Sequence, residues 1–266
     1  MLSPEEKWFF DHHGYILLKD VVPEVDIPRM IELGDRWHEM TLDQLPPPLT
    51  STALINPQAS PTLARWINRV QYADEAFQRL AVNREILRVI IALTHGSPCL
   101  VDTALTRNYR ESDQIHLHAS GRDYRVDDGQ PYAGFLNAAS SLVDVPAGTG
   151  FVCLPGSHKR NFDLPDQISI HDGPPTVVNL PVAAGDCVVF TEALYHGALA
   201  WTEAYPRMTV FNRYIGDGSH SSLPVEEYKH LIPDELYELE QPAVPGQRKD
   251  LVERILRDLA TDAADR

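Results

Sequence analysis

Four side chains in this sequence have the chemistry to hold a metal ion and an anion side by side. His116 and His118 stand two residues apart in Gln114-Ile115-His116-Leu117-His118-Ala119-Ser120. On a regular β-strand, residues i and i+2 point to one face. A third histidine, His196, ends a strand-like apolar stretch and directly precedes Gly197, where another backbone can approach closely. Arg207 follows eleven residues later. Imidazole nitrogen suits borderline metals such as iron, zinc or copper. Mononuclear non-haem iron(II) sites place two histidines and one carboxylate on a single face and leave the remaining positions open. The chain holds eleven histidines, and a lone buried histidine is more often a hydrogen-bonded core residue than a ligand. The metal reading therefore rests on several signals agreeing.

Arg207 has two readings. A guanidinium brought inside the fold takes a carboxylate, such as the far end of a metal-chelating 2-oxoglutarate, through two parallel hydrogen bonds. Equally, it is a surface arginine in the turn after Pro206. Gln114 and Asn137 lie on strands expected near the site and could donate to a cosubstrate, or could face solvent. Arg107, Arg110 and Arg122 flank the histidine stretch, either for an anionic substrate or to offset Glu111, Asp113 and Asp123.

The elements that must position these groups are β-strands. After Pro98, strand-like runs recur at 100–109, 114–118, 135–145, 150–154, 176–181, 186–191 and 208–214, separated by turns such as Gly148-Thr149-Gly150, Pro155-Gly156-Ser157 and Ala184-Gly185-Asp186. Short strands at this spacing, after a helical N-terminal third, predict a β-sandwich or barrel with helices packed on one side. The N-terminal part reads as a helix at 3–13 with Ser3 as N-cap, Pro4 in the first turn and Gly14 as its stop, followed by a strand at 15–18. A second helix spans Ile27 to Met40, and a mainly helical stretch runs from 62 to 93, ending in the apolar run Ile86 to Leu93. Polar helices at 225–239 and 249–260 close the chain, either capping the barrel or mediating contacts in a homodimer. One domain is expected over 1–266: a helical part at 1–97, a β-core at 98–215 and a helical extension at 216–266.

Composition narrows the partners. A net charge of −15 argues against nucleic acid and anionic membrane surfaces. No apolar run approaches the roughly 18 residues that span a bilayer, and no signal peptide is evident. Three widely spaced cysteines, Cys99, Cys153 and Cys187, sit in apolar runs and read as buried reduced thiols. A cytoplasmic location is the resulting expectation. The ending Ala263-Ala264-Asp265-Arg266 is not of the Ser-Lys-Leu peroxisomal type.

The opening stretch Glu5 to Lys19, the stretch Val143-Asp144-Val145-Pro146-Ala147-Gly148-Thr149-Gly150 through Pro155-Gly156-Ser157-His158-Lys159, and Ala184-Gly185-Asp186 through His196-Gly197 to Arg207 together resemble the phytanoyl-CoA dioxygenase family of iron(II)/2-oxoglutarate oxygenases. The resemblance covers roughly residues 3–215. It implies an all-β core of the double-stranded β-helix (jelly-roll) type, with iron(II) and 2-oxoglutarate as cofactors and a small molecule as substrate. It makes His196 the distal iron ligand and Arg207 the partner of the cosubstrate carboxylate. His158 becomes a structural residue of its turn or a residue at the mouth of the barrel.

The family's proximal H-x-D motif has no aspartate here. If His118 is the proximal histidine, Ser120 stands in its place; if His116 is, His118 does, and the site becomes three histidines. A loop carboxylate such as Asp123 is a third option. Three chemistries stay open at this point. The first is an oxygenase that oxidises a C–H bond with an atypical ligand set. The second is a halogenase with chloride in the vacated position, and the third is a catalytically silent metal- or ligand-binding protein.

Overall fold

In the computed structural model, the described residues form thirteen strands and seven α-helices; eleven of the strands make two facing antiparallel sheets, with helices stacked behind the larger one. The structure describes residues 1–52, 66–110, 114–216, 225–242 and 248–264. The strands are β1 (Tyr15–Leu18), β2 (Thr50–Ser51), β3 (Ile67–Asn68), β4 (Pro98–Asn108), β5 (Ile115–His118), β6 (Tyr124–Asp127), β7 (Gln130–Ala133), β8 (Phe135–Ser141), β9 (Gly150–Cys153), β10 (Val178–Asn179), β11 (Cys187–Thr191), β12 (His196–Leu199) and β13 (Arg207–Gly216). The helices are α1 (Pro4–His13), α2 (Ile27–Glu39), α3 (Glu75–Ala81), α4 (Arg84–Leu93), α5 (Val225–Tyr228), α6 (Asp234–Glu240) and α7 (Lys249–Ala264).

The large sheet has the order β1-β11-β8-β13-β4-β3-β2 and the small one β10-β9-β12-β5, with β6 and β7 as a separate hairpin. The strand spacing predicted a β-sandwich or barrel with helices beside it, and the core is such a β-fold, antiparallel in both sheets, with N- and C-terminal helices around it. Strand alternation sorts the side chains into layers. Met208, Val210 and Tyr214 of β13, Leu136 and Ala138 of β8, and Val189 of β11 turn outward onto Trp37, Leu87 and Ile90 of the helices. Their neighbours Phe211, Ala139, Val188 and Phe190 turn the other way and meet Phe151 and Cys153 of the small sheet. The inner layer is the one that can hold a ligand. On the far side of the small sheet, Val152 and Leu154 pack beneath Ile170 and Val177, with Leu117 and Tyr195 beside them.

Local sequence explains the helix ends. The Ser3 hydroxyl accepts the Glu6 N–H, the Ser3 N–H donates to the Glu6 carboxylate, and Gly14 ends α1 at φ +79°. Such a cap contributes about 1 kcal/mol. Glu6 also receives both guanidinium amines of Arg88, which ties α1 to α4. The mainly helical stretch expected at 62–93, in at least two pieces, contains α3 and α4 among the described residues. Residues 62–65 lie outside the described residues, and β3 and a 3-10 turn at Val70–Tyr72 follow. Arg69 sits in the left-handed region at φ +69°, and Asp74 caps α3 only after it.

Among the described residues, no helix is long and apolar enough to cross a membrane. The three cysteines are buried, as expected. Burial pushes the thiols of Cys153 and Cys187 up to about 12, which keeps them protonated and unreactive.

Candidate metal and anion site

Strands β5 and β12 run antiparallel, and His118 and His196 are direct partners in that pairing. Their ring centroids lie 4.3 Å apart. The Nδ1 of His118 meets the carbonyl of His116 at 2.9 Å, and the Nδ1 of His196 meets the carbonyl of Leu194 at 2.8 Å. A carbonyl only accepts, so each Nδ1 carries its hydrogen. In the neutral ring the Nε2 lone pair is then left bare, which is the tautomer a metal ligand needs. His196 is buried between Phe190 and Phe151. Burial pushes its pKa down; Glu192 opposes that shift and the neighbouring His118 adds to it.

His116 does not share this face. The pairing passes from His196↔His118 to Ala198↔Ile115, two residues on β12 against three on β5, so β5 carries a bulge. His196 and Ala198 lie on one face of β12, so His118 and Ile115 lie on one face of β5, and the residues between them turn away. His116 lines an outer cavity of about 480 Å³ with Gln114, Leu117, Asp166, Ile168 and Tyr195. The i, i+2 expectation fails here because the bulge breaks the two-residue period. Gln114, read as a candidate donor to the cosubstrate, goes outward with His116. Gly197 is what permits the bulge: a Cβ there would meet the carbonyl oxygen of Ile115 at 2.4 Å and that of His116 at 3.1 Å.

Arg207 begins β13 opposite Asn108, on the same side of the strand as Phe211. Its guanidinium lies beside Gly150, 3.7 Å from where a Cβ would stand. As a whole residue it is partly exposed, yet its Nε is occluded and has no hydrogen-bond partner among the described residues. Among the described residues no carboxylate pairs with it, and burial alone pushes its pKa down to about 10. Gly150 and Cys153, the β9 partner of His196, are three residues apart on one strand, so roughly 10 Å separates the cation from the imidazole pair along the strand.

Asn137 is buried on β8, and its amide donates to the Oε1 of Glu192. Glu192 is the residue that sequence reasoning passed over. It is only 8% exposed; its N–H donates to the Phe135 carbonyl at 3.0 Å and its own carbonyl accepts the Ser120 N–H at 2.8 Å. The available signal was an acid set in the otherwise apolar run from Cys187 to Leu194. Asp123, the loop alternative, is bonded to Arg125 and lies over Gly134. Among the described residues, no third His, Cys, Asp or Glu completes the histidine pair as a ligand group.

Further along the inner face, Arg213 pairs with Asp102 and lies over Trp66, which stacks on Phe211 at 4.9 Å. Arg107 pairs with Asp35 at 2.7 Å and Arg122 with Asp163; Glu111 and Asp113 lie outside the described residues. His158 is buried in its turn, and its Nε2 donates to the Asp11 carbonyl at 3.1 Å.

Comparison with known proteins identifies the family and the fold. The family model for phytanoyl-CoA dioxygenase (PhyH) matches residues 10–209. The peroxisomal phytanoyl-CoA dioxygenases of Bos taurus and Homo sapiens are 23% and 21% identical over 215 residues. The match takes in 74% of this chain and 64% of each of those relatives. Among solved structures, HygX from Streptomyces hygroscopicus with nickel and 2-oxoglutarate bound has a TM-score of 0.65 at 21% identity, covering 81% of this chain and 87% of that one. EctD from S. alaskensis with 2-oxoglutarate and 5-hydroxyectoine has a TM-score of 0.61 at 18% identity, covering 81% and 77%. At such identities the solved structures establish the shared fold, and the family model, which spans most of the chain, establishes the kinship. The chain belongs to the phytanoyl-CoA dioxygenase family of iron(II)- and 2-oxoglutarate-dependent oxygenases.

Proposed function

We propose that this protein oxidises a C–H bond of a small-molecule substrate, using iron(II) held by the Nε2 atoms of His118 and His196 and 2-oxoglutarate held at its far carboxylate by Arg207. One conjunction of features carries the reading. Two facing imidazoles have their Nδ1 hydrogens committed to backbone carbonyls, and a buried guanidinium with no carboxylate partner among the described residues shares the same inter-sheet space. The first feature fits a divalent metal and the second fits a dianionic acid. The residues fit two of the three protein ligands of a facial triad; the carboxylate member is the open question.

When bound, iron with 2-oxoglutarate and O2 supplies the oxidising chemistry. This chain contributes positioning and exclusion. The Leu194 and His116 carbonyls fix the ring orientations. Phe151 and Phe190 wall off the His196 side from water, and Arg207 sets the cosubstrate's reach from Gly150 toward the histidines. A small-molecule substrate accords with HygX, which is solved with hygromycin B bound, and the Trp66–Phe211 stack beside Arg213 offers such a molecule an aromatic and a cationic wall. The buried thiols support a cytoplasmic location.

The test is turnover of 2-oxoglutarate. Purified protein with iron(II) and O2 is expected to release succinate slowly without added substrate, and His196→Ala to abolish it. A wild-type protein that binds neither metal nor 2-oxoglutarate by calorimetry would refute the proposal. A chloride-dependent shift of the iron(II) charge-transfer band would move it to the halogenase reading.

A further inference from the structure

We infer that Glu192 serves the metal site in place of the missing H-x-D aspartate, as a carboxylate that balances the metal's charge from beside the two histidines. This inference rests on the proposal that His118 and His196 hold a divalent metal.

Three independent observations converge on Glu192. Its burial comes first. The residue is 8% exposed, and among the described residues no lysine or arginine pairs with it; its one side-chain partner is the neutral amide of Asn137. Carboxyl groups buried in this way are ordinarily matched by a cation or a metal, and the surrounding side chains supply none.

Its attachment comes second. The Glu192 carbonyl accepts the N–H of Ser120 at 2.8 Å. Ser120 is the residue two places after His118, where the H-x-D aspartate would stand, so the strand end that lacks the acid is bonded to the residue that has one. The other flank is fixed by the Glu192 N–H to Phe135 at 3.0 Å. The turn after it is held by Thr191, whose carbonyl accepts the Leu194 N–H and whose hydroxyl accepts the Ala193 N–H.

Its neighbourhood comes third: Asn137, which holds the Glu192 Oε1, is the β8 partner of Phe190, and the Phe190 ring centroid lies 4.6 Å from that of His196. A divalent ion on two neutral imidazoles retains both its charges, whereas the usual triad cancels one. Glu192 cancels it from outside the ligand set, with Asn137 holding its Oε1 in place. In the arrangement seen here it is not a ligand, so its effect is on affinity more than on coordination number. Asn137, read from sequence as a cosubstrate donor, becomes the positioning residue for Glu192.

The test titrates cobalt(II), a stand-in for iron(II), into the full-length apo protein at pH 7, by calorimetry and by the visible d–d absorbance. Glu192→Gln keeps the shape and removes the charge. It is expected to weaken cobalt(II) binding at least about tenfold, with the apo melting temperature unchanged or higher because an unmatched buried charge is gone. Ser120→Asp added to Glu192→Gln is expected to restore the affinity. Unchanged affinity in Glu192→Gln overturns the inference, as does a lowered apo melting temperature with a loss that Ser120→Asp does not restore, since both mark a purely structural glutamate. If Glu192→Gln does not fold, Ser120→Asp alone decides. The balanced site predicts a gain below about threefold, and a gain of about tenfold or more overturns it. No cobalt(II) binding by the wild type overturns the two-histidine reading itself, an outcome distinct from a Glu192 variant that binds normally.

Discussion

Gly197→Ala should disrupt the site without touching any residue that contacts a ligand. The added Cβ would stand 2.4 Å from the Ile115 carbonyl oxygen and 3.1 Å from that of His116. Ordinary C···O contacts begin at about 3.3 Å, so roughly 1 Å of backbone movement is required at the bulge. Both clashing atoms are main chain, so no side-chain rotation relieves the contact. Overpacking of this kind costs about 1–3 kcal/mol, which for a domain of this size lowers the melting temperature by roughly 3–10 °C. The displaced segment is the one that carries His118 to within 4.3 Å of His196, so metal affinity should fall together with stability. Thermal melting of the apo protein and a cobalt(II) titration read the two effects. A variant that melts within about 1 °C of wild type and binds cobalt(II) equally well would show that the bulge does not depend on Gly197, and the account of β5 would fail.

Two further predictions use the buried charges. Arg207→Met should weaken 2-oxoglutarate binding at least about 100-fold, since two charge-assisted hydrogen bonds at about 1.5–3 kcal/mol each are lost. The same change should stabilise the apo protein by about 1–3 kcal/mol, because it removes a cation whose pKa burial has already pushed down to about 10. Calorimetry and melting curves check both signs. Burial holds His158 neutral, with its pKa pushed down to about 4 against about 6.5 in the unfolded chain. The unfolded state therefore takes up the proton first as pH falls. The contribution of His158 is complete above about pH 6.5 and is lost toward pH 4, by at most about 3 kcal/mol. Urea unfolding of wild type against His158→Gln across that window should show the steeper decline in wild type; parallel curves would contradict the assignment.

Much of this molecule could be read from its residues, and the exceptions have physical causes. The strands that build the inner layer were visible as apolar runs between Gly and Pro turns, and α1 was visible in its cap residues, because those signals are local. The pairing of His118 with His196 was legible as strand ends facing the same space. The face of His116 was not, since a one-residue bulge inverts the alternation on which the reading rested and arises from a contact between strands far apart in sequence. Gly197 did carry a hint of it, as the residue that admits a close backbone. The β6–β7 hairpin, around Asp128 and Gly129 at φ +50° and +73°, went unread although its Asp-Gly turn is a strong local signal. Glu192 could not be weighed from sequence as part of the site, because its link to Ser120 and Asn137 exists only once β5, β8 and the end of β11 meet.

The most direct test of the central claim compares cobalt(II) affinity in His116→Ala, His118→Ala and His196→Ala, each checked for folding by its far-ultraviolet spectrum. The account predicts that His118→Ala and His196→Ala lose binding while His116→Ala binds as wild type, because the bulge turns that ring to the outer cavity. Loss of binding in His116→Ala, with its fold intact, would contradict it.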